Sequence, residues 1–217
     1  MSCIGFASAS EINVKLGADL VNALYSDEKH SSGVEQSVSE RYKAGFSVSG
    51  EYLYLVSNVL KVGGGIEYLF AREKQEGQLS FSFGSRDYSA LPVFITLQLN
   101  PVENGFFIKG NFGYVASFGI DYKTFFRMDM GSGDVFETYE EISDEKGGIY
   151  YGLAVGYEFS AGLIIETSFD CYNGKSTYKQ SNFEYSNDVL VQQSKHKADI
   201  DNSFYRAGIK IGYKFKL

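Results

Sequence analysis

Lys210-Ile211-Gly212-Tyr213-Lys214-Phe215-Lys216-Leu217 alternates without a break between polar or small residues (Lys210, Gly212, Lys214, Lys216) and apolar ones (Ile211, Tyr213, Phe215, Leu217). Successive side chains of a β-strand point to opposite faces, so a period of two reads as a strand with one apolar and one polar face. Upstream, Ile209, Ala207 and Tyr205 extend the apolar face, while Gly208 and Arg206 extend the other.

The same period recurs along the chain and predicts eight strands near 11–24, 41–55, 59–72, 86–100, 105–120, 147–159, 162–173 and 203–217. Ile12, Val14, Leu16, Ala18 and Leu20 oppose Asn13, Lys15, Gly17 and Asp19 in the first; Tyr42, Ala44, Phe46, Val48, Tyr52 and Tyr54 oppose Lys43, Gly45, Ser47, Ser49 and Glu51 in the second. Later strands set Val62, Ile66 and Tyr68 against Lys61 and Glu67, Ile95 and Leu97 against Thr96 and Gln98, Ile108 and Phe112 against Lys109 and Asn111. Tyr151, Leu153, Val155 and Tyr157 face away from Glu158, and Leu163, Ile165, Thr167 and Phe169 away from Glu166, Ser168 and Asp170.

Composition agrees with an all-β chain: 217 residues hold 24 Gly, 18 Phe, 17 Tyr and only two Pro, and no helix cap leads into a helical period. No window of eighteen apolar residues exists, which excludes a transmembrane helix and says nothing against a membrane barrel, whose strands need only about ten alternating residues. A net charge of −7 with no basic stripe disfavours nucleic acid as a partner.

Alternation alone does not say which face is inside, because a soluble barrel with an apolar cavity shows the same period reversed. Three features decide it. Connections alternate in length, long at 25–40, 73–85, 121–146 and 174–202 but short around Ser57, Val102 and Ala161, which places every long loop at one rim of an up-and-down barrel. Glycines stud the polar face, which suits a crowded eight-stranded interior. Tyr52, Tyr54, Tyr68, Phe70, Tyr157, Phe159, Tyr213 and Phe215 gather toward strand ends on the apolar face, where such rings suit a lipid–water boundary. The prediction is an eight-stranded antiparallel up-and-down transmembrane β-barrel, apolar outside, with long extracellular loops and short periplasmic turns.

The stretches Leu91–Leu97, Phe107–Tyr114 and Gly148–Phe159, with the closing strand, make Glu11 to Leu217 resemble the small bacterial outer-membrane barrels that include the OmpA transmembrane domain, OmpX and the opacity proteins. The terminal pattern also resembles the signal read by the barrel-assembly machinery, with Lys210, Gly212, Phe215 and Leu217 in its four places, although Phe is commoner at the last one. The resemblance implies an even-stranded barrel in the bacterial outer membrane, both termini in the periplasm, lipid and lipopolysaccharide around it, and no cofactor. No peptidoglycan-binding domain follows, so that family's cell-wall tether is not expected.

Residues 10–217 read as one domain. Met1 to Ala9 reads either as the remnant of a signal peptide, on the small-x-small run Ala7-Ser8-Ala9, or as a disordered tail. Under the leader reading Cys171 is the only cysteine left, and its register points it at lipid near a strand end.

The predicted lumen holds Asp19, Glu51, Glu67, Glu158, Glu166 and Asp170 against Lys15, Lys43, Lys61, Lys109, Arg206, Lys210 and Lys214. Charges withdrawn from water must be paired, so an ion-pair network is expected from Lys15, Asp19, Glu67, Lys109, Glu166, Asp170, Arg206 and Lys210. Such a network would plug the barrel; the competing reading is a narrow gated pore lined by the same groups.

The loops hold most of what architecture leaves unexplained. Alternation around Gly131-Ser132-Gly133 and around Ser186-Asn187-Asp188 predicts hairpins projecting beyond the bilayer. Phe125, Phe126, Phe136, Tyr139, Phe183 and Tyr185 on their arms are candidate contacts for a host or cell-surface ligand, by edge addition or an aromatic patch. Plain solvated loop is the alternative.

Only His30 and His196 are present, and a rim site joining His30 to Asp27 or Glu28 is the sole enzymatic constellation, for lipid A modification or proteolysis. No zinc spacing, calcium loop, phosphate loop or nucleophile elbow appears, and Gly63-Gly64-Gly65 lies within a strand. The expected role is therefore non-enzymatic, in membrane integrity or surface interaction.

Overall fold

The computed structural model describes residues 10–30, 35–73, 87–102, 104–121, 123–131 and 133–217. Segments 1–9 and 74–85, read above as leader or tail and as most of one loop, lie outside the described residues. Ten strands follow in order: β1 (Ser10–His30), β2 (Glu35–Arg41), β3 (Gly45–Ser57), β4 (Leu60–Arg72), β5 (Asp87–Leu99), β6 (Phe106–Asp121), β7 (Lys123–Gly131), β8 (Asp134–Glu158), β9 (Leu163–Ser186) and β10 (Val189–Lys216).

Eight of them form an antiparallel ring in the order β1-β3-β4-β5-β6-β8-β9-β10, and β10 returns to pair with β1 from Glu11 opposite Lys216 to His30 opposite Ala198. Closure joins the two ends of the sheet, the condition under which strands can cross a bilayer without an open edge. Ile12, Val14, Leu16, Ile66, Ile95, Leu97, Phe112, Leu153, Ile209 and Ile211 are exposed on the outside, while their alternate neighbours are buried. Aromatic pairs on this outer face (Tyr157 with Phe159 at 4.8 Å, Tyr213 with Phe215 at 5.0 Å, Tyr68 with Phe70 at 5.0 Å) sit at both ends of the apolar band. From Tyr213 to Tyr205 the strand rises roughly 27 Å, and a tilt of about 40° reduces this to roughly 21 Å, close to the ~25 Å band of outer-membrane barrels.

The strands outrun the expectation at one rim. Where the period of two predicts 147–159, 162–173 and 203–217, β8, β9 and β10 run over Asp134–Glu158, Leu163–Ser186 and Val189–Lys216. Above the apolar band the outer face meets water instead of lipid and carries Lys175, Lys197 and Asp199, so the apolar-out pattern stops although the ladder continues and Ser176, Ala198 and Ile200 stay buried on the inner face. The upper parts of β8, β9, β10 and β1 are flanked by β7 and β2, which makes a six-stranded extension in the order β7-β8-β9-β10-β1-β2. The β9–β10 turn takes positive φ at Asn187 (49°) and Asp188 (63°), the form that matches strand twist in a two-residue hairpin.

Two outward expectations need correction. Tyr42 is buried and Lys43 lies outside, its Nζ 2.8 Å from Glu73 Oε2, because Lys43 and Ala44 fall between strands and the alternation restarts at Gly45. Cys171 keeps its outward parity but is only 3% exposed, covered by its cross-strand partners Tyr151 and Tyr205 rather than open to lipid.

Candidate functional site

Inside the ring the charged side chains stack in three tiers. Nearest the short turns, Lys61 Nζ donates to Glu11 Oε1 at 2.8 Å and to Glu158 Oε1 at 2.9 Å, and Lys214 Nζ to Glu158 Oε2 at 2.7 Å. In the middle, Lys15 and Lys109 alternate with Glu51 and Glu166 in a closed square whose four contacts span 2.6–2.7 Å. Above it, Arg206 reaches Glu67 at 2.6 Å, Asp170 at 2.9 Å and Asp19 at 3.4 Å, Lys210 reaches Glu67 at 2.9 Å, and Arg72 pairs with Asp19.

Each tier balances: two acids with two bases, two with two, then Asp19, Glu67 and Asp170 with Arg72, Arg206 and Lys210. Neutral tiers matter because an unpaired ion in a low-dielectric interior costs several kcal/mol. Hydrogen bonds from Tyr150 Oη to Asp170 Oδ1 (2.7 Å) and from Ser168 Oγ to Asp170 Oδ2 (3.0 Å) use lone pairs that the cations leave.

An aromatic layer covers the upper tier. Tyr88 meets Tyr42 and Phe204 at 4.7 Å between ring centroids, Tyr172 stacks on Phe204 at 4.9 Å, and the Arg72 guanidinium lies 5.5 Å from the Tyr88 centroid. Leu24, Leu69, Val115 and Ile142 complete the buried cluster. Ions below and rings above fill the bore, as an eight-stranded interior allows.

The structure puts Lys15, Lys109 and Glu166 in the middle tier and Asp19, Glu67, Asp170, Arg206 and Lys210 in the upper one. Sequence reasoning missed Glu11 and Arg72. Leu20 and Val21 are both exposed where the β1–β10 register shifts, and Phe70 is followed by exposed Ala71 before buried Arg72 where the β4–β5 register shifts. Each irregularity flips the parity of the residues beyond it, bringing Asn22, Leu24 and Arg72 inside.

At the chain end, Lys210 points inward to Glu67, Gly212 lies opposite Lys15, Phe215 packs outside on Tyr213, and Leu217 N donates to Ser10 O at 2.9 Å. The six aromatic candidates divide over the extension. Phe125, Tyr139 and Phe183 form a ladder across β7, β8 and β9, with centroids at 4.6 and 5.7 Å. Phe126, Phe136 and Tyr185 line a groove of about 680 Å³ with Met128, Met130 and Val191. The backbone of His30 lies opposite Ala198, two positions from His196, while the side chains of Asp27, Glu28 and His30 are outside the described residues.

A closed antiparallel ring, greasy outside and ionic within, defines a transmembrane β-barrel of the outer-membrane type. No protein-family model matches the chain, and no curated protein matches it. Among solved structures it is similar to the outer membrane protein OprG from Pseudomonas aeruginosa, at 16% identity over 96% of each chain and a TM-score of 0.49. It is similar to Ail, the attachment invasion locus protein of Yersinia pestis, at 13% identity over 96% of this chain and 99% of that one, TM-score 0.39. The outer membrane protease OmpT from Escherichia coli is similar at 11% identity over 94% and 97%, TM-score 0.45. Nothing about activity follows from likeness at this level.

Proposed function

We propose that this chain is a non-enzymatic barrel of the bacterial outer membrane that holds a β-sheet above the bilayer for contact at the cell surface. The supporting observation is the pairing of a filled bore with strands that continue past the membrane: Ser186 lies fifteen residues beyond Cys171 on β9, roughly 50 Å along the strand. In this reading the short turns and both chain ends face the periplasm, the extension faces outward, and lipid or lipopolysaccharide surrounds the apolar band. Lys210, Gly212, Phe215 and Leu217 then serve as the terminal signal for the assembly machinery. The aromatic ladder Phe125-Tyr139-Phe183 offers the contact surface, for a host or neighbouring-cell ligand.

Two measurements on the full refolded chain test this. In planar bilayers it gives no reproducible open steps, and displayed on cells that lack adhesins it promotes attachment that is lost with Phe125→Ala/Tyr139→Ala. Stable conductance steps would favour the channel reading instead, and attachment indifferent to the double substitution would rule the ladder out as the contact surface.

A further inference from the structure

Below the lowest ionic tier the barrel opens into a cavity of about 370 Å³, ringed by the β3–β4 and β5–β6 turns and by the ends of β1, β8 and β10. Its charged lining is Glu11, Lys61, Glu158 and Lys214, with the exposed Lys216 at the rim, and Asn100 and Asn104 supply amides. Donors and acceptors are unevenly matched here. Gln98 Nε2 donates to Glu158 Oε1 at 2.6 Å and to Asn100 Oδ1 at 2.8 Å. Since a carboxylate accepts only, Gln98 must present its nitrogen, and Asn100 must therefore present its oxygen to Gln98. The amide orientation of Asn100 is fixed by this chain of contacts, and its Nδ2 is left without a partner among the described residues although Asn100 is 3% exposed.

Lys214 lies at the other end of the same chain. Its Nζ donates to Glu158 Oε2 at 2.7 Å and to Asn104 Oδ1 at 3.1 Å, which uses two of its three N–H groups. Both carboxylates of the tier already accept from Lys61, whose own donors are all directed at them. The cavity thus has donors left over, on an amide and an ammonium, and its buried charges cancel. A molecule that satisfies both must bring acceptor oxygens, and a neutral set of buried ions tolerates one added negative charge far better than two.

From this geometry we infer a binding site for a small monoanionic carboxylate at the short-turn mouth of the barrel, held by Asn100 Nδ2 and Lys214 Nζ. The volume suits a ligand of about dipeptide size, within the usual range of ~300–1,000 Å³ for ligand pockets. A free carboxylic acid and the carboxyl end of a short peptide share this chemistry.

Titration of the uniformly 15N-labelled full chain in detergent micelles tests it, with N-acetylglycine, the dipeptide glycylglycine, neutral N-acetylglycinamide and inorganic phosphate as probes. Saturable amide shifts at Asn100, Asn104 and Lys214 with N-acetylglycine, and none with N-acetylglycinamide, are the expected result. Glycylglycine binding as well as N-acetylglycine identifies peptide ends as acceptable ligands; its failure to bind restricts the site to acids without a nearby ammonium, and both outcomes support the carboxylate. Asn100→Asp, which exchanges the free donor for a negative acceptor at constant size, weakens binding at least tenfold while the barrel keeps its heat-modifiable gel mobility. Equal shifts with the neutral amide, equal affinity for phosphate, or an unchanged affinity in folded Asn100→Asp would each overturn the assignment.

Discussion

Lys109 Nζ and Glu166 Oε2 lie 2.6 Å apart at mid-lumen, both side chains wholly enclosed, although β6 and β9 are not neighbours in the wall. The contact reaches over the one intervening strand, β8, and with Lys15 and Glu51 it ties four strands together through their side chains as well as their ladders.

Breaking that square by one member strands charge. Lys109→Met leaves Glu51 and Glu166 sharing Lys15 alone, and is expected to destabilise the barrel by about 3–5 kcal/mol. Reversible urea unfolding in detergent measures this. In the double variant Lys109→Met/Glu166→Gln the loss falls well below the sum of the two single losses, since neither change then leaves its partner uncompensated.

Gly152 marks a second sensitive point. A Cβ there falls on the Asp170 carboxylate, which is held by Arg206 at 2.9 Å and by Tyr150 Oη at 2.7 Å. Gly152→Ala is expected to cost about 1–3 kcal/mol through the displaced hydrogen bonds. The same unfolding assay reads it, with Gly110→Ala as control, because a Cβ at Gly110 meets nothing within 4 Å.

The outward face can be tested directly. Nitroxides placed at Val14, Leu97 and Ile209, which are 45%, 51% and 41% exposed, should collide with lipid-dissolved oxygen. Labels at neighbouring Asn13, Gln98 and Lys210, all 2% exposed or less, should not. Equal accessibility of the two sets, read by power-saturation spectroscopy, would remove the bilayer from this picture.

The extension depends on its aromatic ladder. Tyr139 sits between Phe125 and Phe183, and aromatic pairs contribute about 0.5–1.5 kcal/mol each beyond burial. Tyr139→Ala is expected to raise the rate of proteolytic cleavage within 123–131 severalfold while the barrel wall stays resistant.

The wall was legible in the sequence wherever one face met lipid and the other did not. Val62, Ile66 and Tyr68 against Lys61 and Glu67, or Ile209 and Ile211 against Lys210, sort by hydropathy alone, and the structure places them so. The extended arms were less visible in their length, since Lys195, Lys197 and Asp199 put charge on the outer face where the membrane part of the strand carries apolar residues, and the pattern that marks the wall is lost. Arg72, Leu24 and Tyr42 were misread or missed for another reason: a shift in register or a break between strands resets the parity, and no residue type announces it. The partition of the lumen into balanced tiers depends on strand stagger, which the period of two does not encode.

Lys15 on β1 and Glu166 on β9 are separated by 151 positions, and Asp19 and Arg206 by 187. While the sheet is still open each of these groups keeps only the counter-ion on its own side of the seam, Glu51 for Lys15, Lys109 for Glu166, Arg72 for Asp19 and Asp170 for Arg206, so every intermediate short of the finished ring leaves the middle and upper ionic clusters split in two. Joining the seam adds Lys15–Glu166, Asp19–Arg206 and the contacts of Glu67 with Arg206 and Lys210 together, which makes the last step of assembly a cooperative latch and leaves a half-inserted sheet nowhere comfortable to stop.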